Sequence, residues 1–122
     1  MLKQQFKNLC TKMFNKHYDR FMTRLKSTRD SGQKEYANNE DNVFADFDWE
    51  ADASGNTPEQ VIYIFLLKHI RGMGSYIKGH RSQRESIHGR IEDAVVYLTL
   101  LDAMISTRHE ERKELNLNKK NI

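Results

Sequence analysis

The stretch from Thr57 to Lys78, TPEQVIYIFLLKHIRGMGSYIK, decides the fold class of this 122-residue chain. It opens with an N-cap threonine, a proline at the first helical position and a glutamine three residues after the cap. Together these satisfy the free amides of a helix start. The apolar run Val61–Leu67 then covers every face of the helix, which predicts burial between neighbouring helices. We expect this helix to run to about Lys78 at the centre of a helical core.

A second long helix is predicted over residues 82–107. Ser82-Gln83-Arg84-Glu85 repeats the capping pattern, and apolar residues follow at helical spacing. Within the first helix, Gly72 and Gly74 lack the sequel of a phosphate-binding loop, so they are expected to permit close helix contact or a kink. The two helices form a long antiparallel hairpin with a turn at residues 78–82.

Two more helices are predicted before the hairpin. Residues 2–25 carry apolar and basic side chains at three- and four-residue steps, which indicates an amphipathic helix. The polar stretch 27–33 is expected to be a loop. A shorter helix is predicted over 42–53, ended by Ser54 and Gly55. The sequence therefore predicts an all-α fold of about four helices.

We expect a single domain over residues 1–107, followed by a polar, frayed tail over 108–122. Within the domain, 1–27 is the basic amphipathic helix and 35–107 is the core. Residues 1–34 carry nine basic side chains against two acids, whereas residues 35–57 carry seven acids and no Lys or Arg. This split predicts that the basic segment packs over the acidic one, or that each faces a different partner.

Composition excludes several classes of protein. The single cysteine, Cys10, rules out a disulfide framework and a cysteine-based zinc site, and its place on an apolar helix side predicts a buried, inert thiol. No apolar run approaches the roughly 20 residues of a membrane span. Residues 1–27 also lack the features of a signal peptide. We therefore expect a cytoplasmic protein that does not act at a membrane.

The hairpin brings polar residues together near its turn. Residues whose numbers sum to about 161 are expected to lie at the same height, which places Lys68 opposite Asp93. Both sit at the edge of the apolar layer, where a partly desolvated charge needs a side chain, a metal ion or a phosphate as its partner. A salt bridge between the two is the simpler interpretation.

A basic rim surrounds this end of the hairpin. Such a rim suits phosphate oxygens, although a solvated loop tip is the simpler interpretation. Its members are Lys68, Arg71, Lys78, His80, Arg81 and Arg84. Trp49, the only tryptophan, is a candidate for stacking on a base, but packing on the first helix is the favoured interpretation.

Segments between Glu35 and Ile105 together resemble the nucleotide modification associated domain 1 family. They are Tyr36-Ala37-Asn38-Asn39-Glu40-Asp41-Asn42-Val43-Phe44, Lys68-His69-Ile70-Arg71, Glu85-Ser86 and Ile91-Glu92-Asp93-Ala94-Val95-Val96-Tyr97-Leu98. The family is found largely in bacteriophages and bacteria, in gene contexts of modified-nucleotide metabolism. The resemblance implies a phage-type accessory protein of nucleotide metabolism, located in the host cytoplasm if it is phage-encoded.

Taken with the hairpin register, the resemblance predicts a site that binds a nucleotide or its phosphates. Lys68 and Arg71 would hold phosphate. Asp93 would orient Lys68 or a cation, and Tyr97 would contact base or sugar. The other expected members of the site are Tyr36, Asn39, Glu85 and Ser86.

The chain is also distantly similar to the all-α nucleoside triphosphate pyrophosphatases of the MazG and dUTPase-like type. Those enzymes hold magnesium with acidic residues on facing helices. This sequence departs from their pattern, because Lys68 and Arg71 stand where the first acidic motif is expected and Arg90 replaces a glutamate of the second. The remaining candidate Mg²⁺ ligands are Glu85, Glu92 and Asp93. A Mg²⁺-dependent pyrophosphohydrolase is therefore one alternative function.

The first helix is the other candidate surface. Its basic side chains can follow a phosphate backbone, and its apolar side is large enough to invite self-association if it is left exposed. Docking on the hairpin is the simpler interpretation. A homodimer through this helix, or a host protein or nucleic acid bound by it, are the alternatives. A small helical interaction protein that binds or inhibits a host factor is accordingly the other alternative function.

Overall fold

The computed structural model describes residues 2–36 and 42–120, excluding the side chains of 33–36, 109–110, 112–113 and 120. In these residues the chain is all-α, as predicted, and contains no strand. Four helices follow one another: α1 (Leu2–Tyr36), α2 (Ala45–Ser54), α3 (Pro58–Ile77) and α4 (Ile87–Lys120). α3 and α4 form the hairpin, α2 packs on α3, and α1 packs on α4.

The start of α3 agrees with its sequence. Thr57 Oγ1 accepts a hydrogen bond from the Gln60 amide at 3.2 Å, and Gln60 Oε1 accepts one from the Thr57 amide at 2.8 Å. Pro58 occupies the first turn. α2 begins at Ala45, three residues later than predicted, and ends before Gly55, whose φ of 73° favours glycine. Local signals therefore set both ends of the α2–α3 connection.

The core lies between α2, α3 and α4. Its buried residues are Phe47, Ala51, Val61, Ile62, Val96, Leu100 and Met104. Contrary to the prediction, α3 is not buried on every face: Tyr63 and Ile64 are each 54% exposed. The reason is that α2 and α4 pack on α3 whereas α1 lies against α4, so part of α3 has no helix over it.

Contacts with α4 make α1 longer than predicted. The stretch 27–33, expected to be a loop, continues α1. Thr28 Oγ1 donates a hydrogen bond to Glu92 Oε2 at 3.1 Å, and Arg24 pairs with the same carboxylate at 3.3 Å. These tertiary contacts hold a polar stretch in the helical conformation, although its sequence alone favours a turn.

The first part of α1, Leu2–Arg20, stands away from the other described residues. All of its residues are exposed, and burial begins only at Phe21. Cys10 lies in this part, so the prediction of a buried thiol is wrong. Docking of α1 on the hairpin is thus limited to its second half.

The bounds of α4 also differ from the prediction. The helix starts at Ile87 and not at Ser82, because Ser86 Oγ accepts the amide hydrogen bond of the first turn at 2.9 Å while the Glu85 carboxylate turns toward α3. α4 continues to Lys120, through residues expected to fray. None of the helices in residues 2–36 and 42–120 combines the length and apolar character that a membrane span requires.

Candidate functional site

A basic groove lies where the end of α3 meets the start of α4 and the loop between them. It has a volume of about 370 Å³. Its lining residues are Lys68, Arg71, Gly72, Ser75, His80, Ser82, Gln83 and Arg90. Lys68 and Arg71 come from α3, as the sequence predicts, and none of the described residues in this lining is an acid. We call this concavity the hairpin groove.

Arg90 is the most enclosed cation of the hairpin groove. Its side chain is only 12% exposed, and its guanidinium packs directly against Gly72 on α3. A Cβ atom at Gly72 would overlap the guanidinium, so the predicted close contact at this glycine is confirmed. Arg90 Nε donates a hydrogen bond to Gln83 Oε1 at 2.8 Å. The cation is therefore held in one orientation before any ligand arrives.

Gln83 ties the loop to α3 and so completes the wall of the groove. Its Nε2 donates hydrogen bonds to the backbone oxygens of Gly72 at 3.0 Å and of His80 at 3.1 Å. Not all of the predicted basic rim takes part, because the Arg81 guanidinium stacks over the Tyr76 ring at 4.1 Å from its centroid. Of the rim residues in the loop, His80 lines the groove, whereas Lys78, Arg81 and Arg84 are not among its lining residues.

A histidine–carboxylate group borders the groove next to Arg90. His69 has a side chain only 6% exposed, and its Nδ1 lies 3.5 Å from Glu85 Oε2. Its Nε2 lies 3.8 Å from Asp93 Oδ2. Arg90 Nη1 lies 3.6 Å from the same oxygen of Glu85, so the carboxylate stands between the two basic side chains. His69, and not Lys68, is therefore the residue of α3 that faces Asp93.

Two atoms of this group are buried without a hydrogen-bond partner. They are His69 Nδ1 and Glu85 Oε2, which face each other across the gap. Buried polar atoms are costly unless they are paired. A hydrogen bond from a ring N–H to the facing carboxylate is one way to pair them. A divalent cation is another, because one ligand atom each from His69, Glu85 and Asp93 lie within 4.8 Å of one another.

Tyr97 belongs to the aromatic part of the core. Its ring packs against Phe47 at a centroid distance of 6.3 Å and an angle of 88°, and against Phe65 at 6.0 Å. The His69 ring lies 5.5 Å from it. Tyr97 therefore supports the buried side of His69, and it is not among the residues that line the hairpin groove.

The other predicted site residues are dispersed. Ser86 caps α4. Glu92 points toward α1, where Arg24 and Thr28 engage it, and so it does not join Glu85 and Asp93. Asn39 and the side chain of Tyr36 lie outside the described residues.

Several members of the site were not predicted, among them His69, Gln83 and Arg90. The register rule indicated two of them to within one residue. It places His69 opposite residue 92, and His69 contacts Asp93; it places Arg90 opposite residue 71, and Arg90 contacts Gly72. Gln83 had no such signal, since its contacts depend on a loop that the sequence predicted to be shorter.

A second groove, of about 360 Å³, lies between α2 and α3. We call it the α2–α3 groove. It is lined by Trp49, Glu50, Ala53, Ser54, Asn56, Val61, Ile64 and Phe65. Trp49 is 71% exposed and does not pack on α1, so that prediction is wrong. Burial raises the pKa of the Glu50 carboxyl above its usual range, and the carboxylate of Asp46 raises that pKa further.

Comparison of this chain with protein-family models, with curated proteins and with solved structures finds no match. The resemblances stated above therefore rest on the sequence motifs alone. The function has to be argued from the two grooves and the side chains that line them.

Proposed function

We propose that this protein binds the phosphate groups of a nucleotide in the hairpin groove and acts as an accessory protein of nucleotide metabolism in a cytoplasm. One observation carries the proposal: Lys68, Arg71 and Arg90, from two helices, line a single concavity whose described lining contains no acid. Convergent cations favour a bound anion, and Arg90 keeps the Glu85 carboxylate as a neighbour at 3.6 Å. A planar guanidinium suits phosphate oxygens in particular, because it offers two parallel donors.

The size and chemistry of the groove support a nucleotide over a bare ion. A volume of about 370 Å³ lies within the range of small-ligand sites. The hydroxyls of Ser75 and Ser82 line the same concavity and offer donors and acceptors beside the cations. The resemblance to a family in gene contexts of modified-nucleotide metabolism agrees with such a ligand.

The test is a titration of the purified protein with ribo- and deoxynucleoside mono- and triphosphates, followed by calorimetry and thermal shift. We expect Lys68→Ala and Arg71→Ala each to weaken binding about tenfold or more, because each removes a charge-assisted hydrogen bond to phosphate. Lys78→Ala is the matched control, since Lys78 is an exposed cation of the same hairpin that does not line the groove. Absence of binding by every nucleotide, or equal loss in the control, would contradict the proposal.

A second candidate function is a metal-dependent hydrolase, and the His69–Glu85–Asp93 group is the observation that favours it. The group borders the cations of the hairpin groove through Arg90, so a cation held there would lie beside a bound phosphate. A histidine nitrogen in the ligand set favours Mn²⁺ or Zn²⁺ over Mg²⁺.

Two acid-to-amide variants, which keep the shape of the side chain, distinguish a metal-dependent hydrolase from a protein that only binds nucleotides. We expect Asp93→Asn to abolish the calorimetric binding of Mn²⁺, whereas Glu92→Gln, which changes the adjacent acid that faces α1, keeps it. The hydrolase also requires release of pyrophosphate from a nucleoside triphosphate with Mn²⁺ or Mg²⁺. If metal binding is unchanged in Asp93→Asn, or no product is released, the group serves as an ion pair and the hydrolase is rejected.

A further inference from the structure

The first part of α1, Leu2–Arg20, presents a stripe of large apolar side chains that nothing covers among the described residues. Its members, Leu2, Phe6, Leu9 and Met13, are 52–82% exposed. At about 100° per residue they fall within about 60° of one another around the helix axis. A continuous apolar stripe of this kind favours association with another surface.

Within the described residues, α1 makes its contacts through another part and another side of the helix. α1 is docked on α4 through its second half, where Phe21 and Leu25 are half-buried. These two side chains project about 110° away from the centre of the apolar stripe. Because α1 is continuous from Leu2 to Tyr36, docking of its second half fixes the direction of its first part. The stripe therefore lies to one side of the face by which α1 contacts α4.

The α2–α3 groove has the complementary chemistry. Its exposed lining is mostly apolar, with Trp49 and Ile64 at 71% and 54% exposure. Helix α2, which forms one wall, carries four acids and no basic residue: Asp46, Asp48, Glu50 and Asp52. The first part of α1 carries five basic residues and one acid: Lys3, Lys7, Lys12, Lys16 and Arg20 against Asp19. The segment that carries the apolar stripe thus has net charge +4, whereas α2 has net charge −4 and contributes Glu50 to the lining of the groove.

We propose that the first part of α1 of one copy docks in the α2–α3 groove of a second copy, and that the exchange is reciprocal in a homodimer. Phe6, Leu9 and Met13 have the i, i+3, i+7 spacing by which a helix anchors in an apolar groove. A concavity of about 360 Å³ has room for two or three such side chains. The basic residues of α1 then lie along the acidic wall of α2.

The state of Glu50 supports this arrangement. Its Oε2 is buried without a hydrogen-bond partner, and burial raises the pKa of its carboxyl, so the charged carboxylate is less stable here than in water. A lysine or arginine brought to the groove would supply the missing partner. A nucleic acid is a less suitable partner for the first part of α1. A phosphate backbone would pair with the lysines but would leave apolar residues such as Phe6 exposed to solvent.

The test uses two charge-reversed forms of the full chain and sedimentation velocity over a range of protein concentrations. The acidic-α1 form carries Lys7→Glu and Lys12→Glu, and the basic-α2 form carries Asp46→Lys and Asp52→Lys. We expect wild type to be dimeric and each form alone to be monomeric, because each would bring like charges together. In an equimolar mixture the acidic α1 of one form meets the basic α2 of the other, and the second contact joins an unchanged α1 to an unchanged α2. We therefore expect the mixture to give a heterodimer.

Control and alternative outcomes are distinct. The double variant Lys78→Glu, Lys119→Glu makes the same charge change at exposed positions of α3–α4 and is expected to stay dimeric. Circular dichroism checks that all forms keep their helix content. A monomeric wild type overturns the proposal. So does a basic-α2 form that still dimerises, which would indicate contact between the two α1 helices, and so does a mixture of the two forms that stays monomeric.

Discussion

Replacement of Ile62 by alanine is expected to lower the free energy of unfolding by about 2–5 kcal/mol. Ile62 is fully buried, with 0% exposure, at the centre of the core formed by α2, α3 and α4. The truncation removes apolar surface that folding had buried and leaves a cavity that rigid neighbouring helices fill only in part. The free energy of unfolding of a natural domain is about 5–15 kcal/mol, so this loss is a large share of the total stability. Chemical denaturation followed by circular dichroism measures it.

Ile70→Ala is the matched control for this prediction. It makes the same substitution in the same helix, two turns later, at a side chain that is 48% exposed. Because solvent already reaches that side chain, we expect a loss well below that of Ile62→Ala. Equal losses from the two variants would mean that the core is not centred on the α2–α3–α4 contact.

The second large effect is expected from Gly72→Ala, and it concerns the hairpin groove. A Cβ atom at this position would overlap the guanidinium of Arg90, which must then leave α3 and give up its 2.8 Å hydrogen bond to Gln83. The helix itself gains from alanine, so the fold is retained while the cation loses its fixed orientation. If Arg90 contributes one charge-assisted hydrogen bond to a bound phosphate, affinity falls roughly tenfold or more.

Gly74→Ala provides the control for Gly72→Ala. A Cβ atom at Gly74 meets nothing within 4 Å, so alanine there is expected to raise the free energy of unfolding by about 1 kcal/mol and leave nucleotide affinity unchanged. A readout that does not depend on any ligand is the Arg90 Nε–H resonance in a ¹⁵N-correlated NMR spectrum. It is expected to shift in Gly72→Ala and to stay in place in Gly74→Ala. An unmoved resonance in both variants would show that Arg90 does not need the space that Gly72 leaves.

Ile62 and Gly72 have different roles, because Ile62 stabilises the fold and Gly72 shapes the hairpin groove. Ile62 contributes to the core, and its loss weakens the whole hairpin without changing any groove residue directly. Gly72 contributes almost nothing to burial, yet it makes room for the one cation of the groove that is nearly enclosed. A variant with normal stability and impaired nucleotide binding therefore identifies the groove as the functional surface.

The predicted register of the hairpin agrees with the structure to within one residue, but that one residue changes which side chain meets Asp93. Lys68 was expected opposite Asp93, and His69 lies there instead. A shift of one residue turns a side chain by about 100° around the helix axis, so a small error in register exchanges an exposed residue for a buried one. Lys68 instead faces the hairpin groove, beside Arg71. The predicted phosphate residues are therefore near one another, and His69 lies 3.8 Å from Asp93 at the height where Lys68 was predicted.

Features that depend only on residues close together in the chain could be predicted from the sequence. The capping box at Thr57, the glycine end of α2 at Gly55 and the all-α class follow from hydrogen bonds and backbone preferences within a few positions. Tertiary structure alone decided that residues 27–33 are helical, because Glu92 of α4 holds Thr28 there. It also decided that Arg90 lies on Gly72 and that none of the other described residues covers the first part of α1. Such features depend on which face of one helix meets another, and that is set by packing between elements distant in sequence.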